Sequence, residues 1–126
     1  MARWTPRAWT GLAAVSGLLA VAFGAFAAHG MTESKPVEWL RTGSQYQMTH
    51  ALAVFAAFGL HRAGAKGMGL VAALFLAGAV LFSGSLYAMA LGAPRILGAV
   101  TPIGGLAFMI GWALMAWRGF TLTDQA

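Results

Sequence analysis

The chain has 126 residues, 60% of them hydrophobic and 9% charged, with a formal net charge of +5 and no cysteine. That is room for one domain, with far more apolar surface than a soluble fold of this size can hide. The missing cysteine removes disulfide frameworks, thiol nucleophiles, iron–sulfur ligation and zinc–thiolate sites, and the Lys and Arg stand singly at segment ends rather than in a stripe, which argues against nucleic acid as a partner.

Arg3 and Arg7 precede a charge-free run from Ala8 to Ala28, about 20 residues, the length a helix needs to cross ~30 Å of hydrocarbon. The basic start, the apolar run and Ala25-Phe26-Ala27 also fit a cleavable secretory signal. The run is longer than a usual signal core, so it is kept as a first span, about 8–28. Three more charge-free stretches follow, giving spans of about 43–60, 68–91 and 96–117. Pro36 suits a first helical turn, and Glu38 with Arg41 at i,i+3 extends the second helix ahead of the membrane, past Trp39 as an interfacial anchor. The runs are too long and too unalternating for barrel strands, so the backbone must satisfy itself as helix. With connections as short as Gly92-Ala93-Pro94-Arg95, the expected fold is an all-α, up-down, four-helix transmembrane bundle forming a single domain in the lipid bilayer.

Counting Lys and Arg on each side places Arg3, Arg7, Arg62, Lys66 and Arg118 together, against Lys35, Arg41 and Arg95. The bias puts both termini in the cytoplasm. Small residues recur four apart, as in Ala20, Gly24 and Ala28, Ala53 and Ala57, Gly84, Ala88 and Gly92, and Ala107 and Gly111. Such spacing lets helices approach closely, within one chain or in a homo-oligomer or larger membrane complex.

On the second helix Thr42, Gln45, Tyr46, Thr49 and His50 fall at i, i+3, i+4, i+7 and i+8 and form one polar stripe. His50 stands nine residues past Arg41, roughly 13 Å deeper, so the stripe is expected to turn away from lipid. Depth gathers His29, Gln45, Tyr46, Gln47, His50, Ser83, Ser85, Tyr87 and Thr101 into one candidate polar cluster in the outer half of the membrane. The cluster reads either as a site for a proton, ligand or small solute, or as hydrogen bonds that fix helix register, each adding about 0.6 kcal/mol. A copper or haem site from His29, Met31, Met48 and His50 is disfavoured, because Met48 and His50 are two apart on a helix and point different ways. No cofactor or metal is expected. No span contains Asp or Glu, and neither serine of the third span has an acidic partner to orient a base, so no catalytic constellation can be assembled.

Four motifs, in order, resemble those of the YgdD-type family, the four-two-three domain-of-unknown-function group of small inner-membrane proteins. They are Gly24-Ala25-Phe26 with Ala28-His29-Gly30; Trp39 through Thr42-Gly43 to Tyr46-Gln47 and His50-Ala51-Leu52; Phe82-Ser83-Gly84-Ser85-Leu86-Tyr87; and Thr101-Pro102-Ile103-Gly104-Gly105 with Gly111-Trp112-Ala113. The resemblance covers nearly the whole chain. It implies a four-span protein of the bacterial inner membrane and no activity, since none is established for the group. The reading it leaves is a non-enzymatic accessory or structural membrane protein, with a solute or proton carrier built around His50 as the alternative.

Overall fold

The computed structural model describes residues 3–123, and every regular element in it is helical. α1 runs Pro6–His29, α2 Ser34–Arg62, α3 Met68–Ala90 and α4 Thr101–Phe120, with a short 3-10 helix, Arg95–Ala99, leading into α4. α4 continues three residues past the expected end of the fourth span, to Phe120, and residues 124–126 lie outside the described part.

Local chemistry sets the boundaries. Thr5 caps α1 by accepting from the Ala8 N–H, and Pro6 opens the first turn, where its missing N–H costs nothing. α2 and α3 both end in Schellman motifs. Gly64 (φ +103°) lets Ala65 N–H reach Leu60 C=O and Gly64 N–H reach His61 C=O, while Gly92 (φ +108°) likewise lets Ala93 N–H reach Ala88 C=O and its own N–H reach Met89 C=O. Pro94 follows at once and keeps α3 from continuing. The fourth expected span, 96–117, is not one helix. Pro102 has no N–H to give to a helical turn before it, so residues 95–99 wind more tightly and the α-helix proper begins at Thr101.

Three of the helical stretches, Pro6–His29, Met68–Ala90 and Arg95–Phe120, are long and apolar enough to cross a membrane. α2 has the length, 29 residues, without the apolarity. It runs antiparallel between α1 and α3 and carries the chain from one end of the bundle to the other. The outward faces are studded with Leu18, Val80, Ile103 and Met109, each more than half exposed, an arrangement that only a hydrocarbon surrounding would stabilise.

Each helix packs chiefly on its neighbours in sequence, and α1 and α4 do not touch. The bundle is therefore open, with one groove on the α1–α3 side and another between α2 and α4. Its larger core centres on Phe75, Val54, Val71 and Met68, joined by Trp9 and Ala13 of α1, and a smaller one joins Ala27, Leu40, Tyr87 and Ala90. The α3–α4 seam is a set of glycine seats. Phe108 lies over Gly78, Phe75 over Gly111, and Gly104 meets the backbone of Gly78 and Phe82 directly. Of the small-residue pairs read from the sequence, Ala53 and Ala57 are buried, and Gly24 makes room for Ser44, whose hydroxyl donates to Ala20 C=O at 2.8 Å. Gly84 faces open space and Gly92 serves the turn.

These contacts separate two glycines of the same type. Gly104→Ala drives a methyl into backbone and is expected to cost about 1–3 kcal/mol. Gly84→Ala meets nothing within 4 Å and should be neutral or stabilising. Unfolding of both variants in detergent, by heat or by titrated denaturing surfactant, checks the contrast.

Candidate functional site

The single polar cluster expected from depth is divided by the structure into two sides of α2. On the α1–α3 side, Gln47 bridges three helices: its Nε2 donates to Ser16 Oγ of α1 at 3.1 Å, and its Oε1 accepts from Tyr87 OH of α3 at 2.6 Å. Phe23 stacks on the Tyr87 ring, with centroids 3.8 Å apart, and Gly43 lies under the same ring, where a Cβ would come within 2.6 Å of it. Ser83 is fully buried and donates to Gly43 C=O at 2.7 Å. Every group in this seam is satisfied within the protein.

The α4 side is built around His50. Its Nδ1 lies 2.7 Å from Tyr46 C=O, which can only accept, so Nδ1 carries the proton; its Nε2 accepts from the Trp112 indole N–H at 3.0 Å. The ring is thereby fixed as one neutral tautomer with no lone pair left for a metal. It is clamped by Phe108, stacked at 3.5 Å, and by the edge of Phe75. Among the described residues, no three His, Asp or Glu side chains come together. Towards the end where α4 begins, Ser85 Oγ donates to Phe82 C=O and receives Thr101 Oγ1 at 2.5 Å, which pins the start of α4 to α3.

Two expectations need correction. His29 is not part of either side. It closes α1 at the rim, exposed and without a side-chain hydrogen bond, because the turn at Gly30 directs the chain away there. The α2 stripe is not wholly turned inward either. His50 is buried, but Gln45 and Thr49 are exposed and Tyr46 is 45% exposed, because α4 leans on α3 and leaves α2 uncovered. Together with Phe82, Pro102 and Met109 they line a groove of about 820 Å³ between α2 and α4. Sequence reasoning missed Ser16 and Trp112 as members. Ser16 was the lone hydroxyl deep in an otherwise apolar run, and an indole N–H five residues from the nearest interfacial tryptophan needs an acceptor of its own.

A family model described as Protein of unknown function (DUF423) matches residues 23–105, which hold Gln47, His50, Ser83, Tyr87 and Thr101. The chain belongs to this family. Among its relatives, a UPF0382 membrane protein of Haemophilus influenzae is 45% identical over 86% of this chain and 90% of its own length. The UPF0382 membrane protein YwdK of Bacillus subtilis is 46% identical over 82% of this chain and 89% of its own, and the UPF0382 inner membrane protein YgdD of Escherichia coli is 44% identical over 82% of each. No solved structure matches. The family is thus one of membrane proteins of unknown function, and nothing in it points to an enzymatic activity.

The Gln47 bridge makes a quantitative expectation. Tyr87→Phe removes one interhelical bond and should cost about 0.6–1.7 kcal/mol, and Ser16→Ala a similar amount. In a double-mutant cycle Tyr87→Phe and Gln47→Leu should cost less together than the sum of their separate losses, measured by unfolding in detergent.

Proposed function

We propose that this protein is a non-catalytic accessory protein of the bacterial inner membrane, which seats a transmembrane helix of another chain in the groove between α2 and α4. The observation that carries the reading is the exposure of Gln45, Tyr46 and Thr49 side by side. Trp39 marks the interface on α2, with Arg95 held over its ring at 5.6 Å. Gln45 and Thr49 then lie about 9 and 15 Å further along the helix, at hydrocarbon depth. Lipid tails offer no hydrogen bonds there, whereas a neighbouring helix with a polar side chain does. The Gln45 amide and the Tyr46 hydroxyl have donors and acceptors to spare, and the aromatic walls of Phe82, Phe108 and Trp112 supply the apolar contact.

The carrier reading draws less support. Both nitrogens of His50 are engaged, and an open groove on one side of four short helices encloses no path. The Lys and Arg bias supports an orientation with both termini in the cytoplasm. Fusion of a fluorescent protein to the C-terminus is expected to glow, and fusion of a periplasm-dependent phosphatase there to stay inactive.

A photo-cross-linking residue at Thr49 tests the docking itself in native membranes. The expected result is one discrete adduct containing a membrane helix of another protein, absent when the probe sits at the lipid-facing Val80. Gln45→Leu with Tyr46→Phe should reduce the adduct about ten-fold, the effect of two interhelical bonds. Adducts with lipid alone would sink the proposal, and an adduct of twice the chain's mass would make the occupant a second copy.

A further inference from the structure

The rim formed by the start of α1, the end of α2, the start of α3 and the end of α4 differs in charge from the opposite rim. At the opposite rim Lys35 pairs with Glu38 at 3.3 Å and Glu33 stands beside Arg95 in a shared shallow pocket, so the signs are mixed. At the first rim the α2–α3 loop folds against the end of α4 and closes a pocket of about 390 Å³, lined by Gly64, Lys66, Arg118, Thr121 and Thr123. Among the described residues, neither Lys66 nor Arg118 is in a salt bridge. Two cations thus converge on a cavity whose lining, among the described residues, holds hydroxyls and no acidic group.

We propose that this pocket binds the headgroup phosphate of an anionic phospholipid. Three observations support that ligand. First, Arg118 is held in place: its guanidinium lies 4.2 Å over the Trp117 ring, and its side chain runs beside Gly67 of the α2–α3 loop. Gly67 takes φ +79°, a left-handed conformation glycine adopts at no steric cost, which brings the loop against Arg118. A guanidinium fixed in this way presents its donors to a phosphodiester at a smaller entropic cost than a free side chain would. Second, the pocket sits at the ends of three helices beside Trp117 and Phe120, which are 54% and 90% exposed. That is the depth of lipid phosphates, with an apolar flank on which the acyl chains of the same molecule lie. Third, the charge is complementary and local, since each basic group near a membrane surface adds about 1 kcal/mol of attraction to anionic lipid. The cationic pocket alone would suit any phosphate; the aromatic flank beside it selects one carried on a lipid.

Native mass spectrometry of the purified full chain in mild detergent, with phosphatidylglycerol or phosphatidylcholine added, decides the matter. Phosphatidylglycerol is expected to be retained roughly ten-fold better than phosphatidylcholine. Lys66→Gln with Arg118→Gln should weaken that retention roughly thirty-fold, while the charge-keeping pair Lys66→Arg with Arg118→Lys retains most of it. Lys66 is exposed on a loop, so Lys66→Gln alone leaves the fold intact and is expected to cost roughly five-fold. Arg41→Gln, on the opposite rim, should change nothing. Equal retention of the two lipids, or undiminished retention in Lys66→Gln, overturns the proposal. Displacement of the lipid by inorganic phosphate at matched concentration would also overturn it, making the pocket a site for a free anion.

Discussion

The structure turns on a single amide. Gln47 stands near the middle of α2, where water cannot reach and lipid cannot bond, and a primary amide left unpaired there costs several kcal/mol. Ser16 and Tyr87 answer it from two different helices, one as acceptor and one as donor. That pairing requires α1 and α3 to flank α2 in one register. Ser44 on the backbone of α1 and Ser83 on the backbone of α2 hold the same register by separate means. The most polar helix of the four can run the depth of the bundle because its neighbours serve as its solvent.

α4 is held differently. Its seam with α3 is made of ring against glycine, at Phe108 on Gly78 and Phe75 on Gly111, with Ser85–Thr101 as its side-chain hydrogen bond, while Trp112–His50 ties it to α2. Glycine seats bring helices close without covering much width, so α4 lies along α3 and meets α2 mainly around His50. The groove that exposes Gln45, Tyr46 and Thr49 follows from this narrow contact. The feature that sets up the candidate site is thus a packing choice made at the α3–α4 seam rather than on the stripe itself.

Much of this was legible in the sequence. Charge-free runs placed α1 and α3 to within two or three residues, Gly92-Ala93-Pro94 marked the end of α3, and Pro36 sits in the first turn of α2 as read. The family motifs include Gly43, Gln47, His50, Ser83, Ser85, Tyr87, Thr101 and Trp112, which bond across helices, but not Ser16, Ala20 or Ser44. Periodicity within one helix, however, says which residues share a face and not which neighbour meets that face. Depth grouped Gln47 with His50, although Gln47 bonds to α1 and α3 and His50 to α4, and periodicity could not foresee that α4 would leave much of the stripe uncovered. Depth alone likewise drew in His29, which a single turn carries to the rim. Pro102 stands in the family motif Thr101-Pro102-Ile103-Gly104-Gly105, and its main effect is to divide the fourth span between a 3-10 turn and α4.

The serial layering of the helices bears on how the protein is made. α1 emerges first from the ribosome, and Ser16 is already in the bilayer when Gln47 arrives, so half of the amide's need can be met before α3 exists. Tyr87 completes it only after some forty further residues have been threaded. Because α1 and α4 share no contact, nothing made late has to find its way back to what was made first. An insertion machinery that releases helices one at a time would meet, at each step, a partner already waiting for the next.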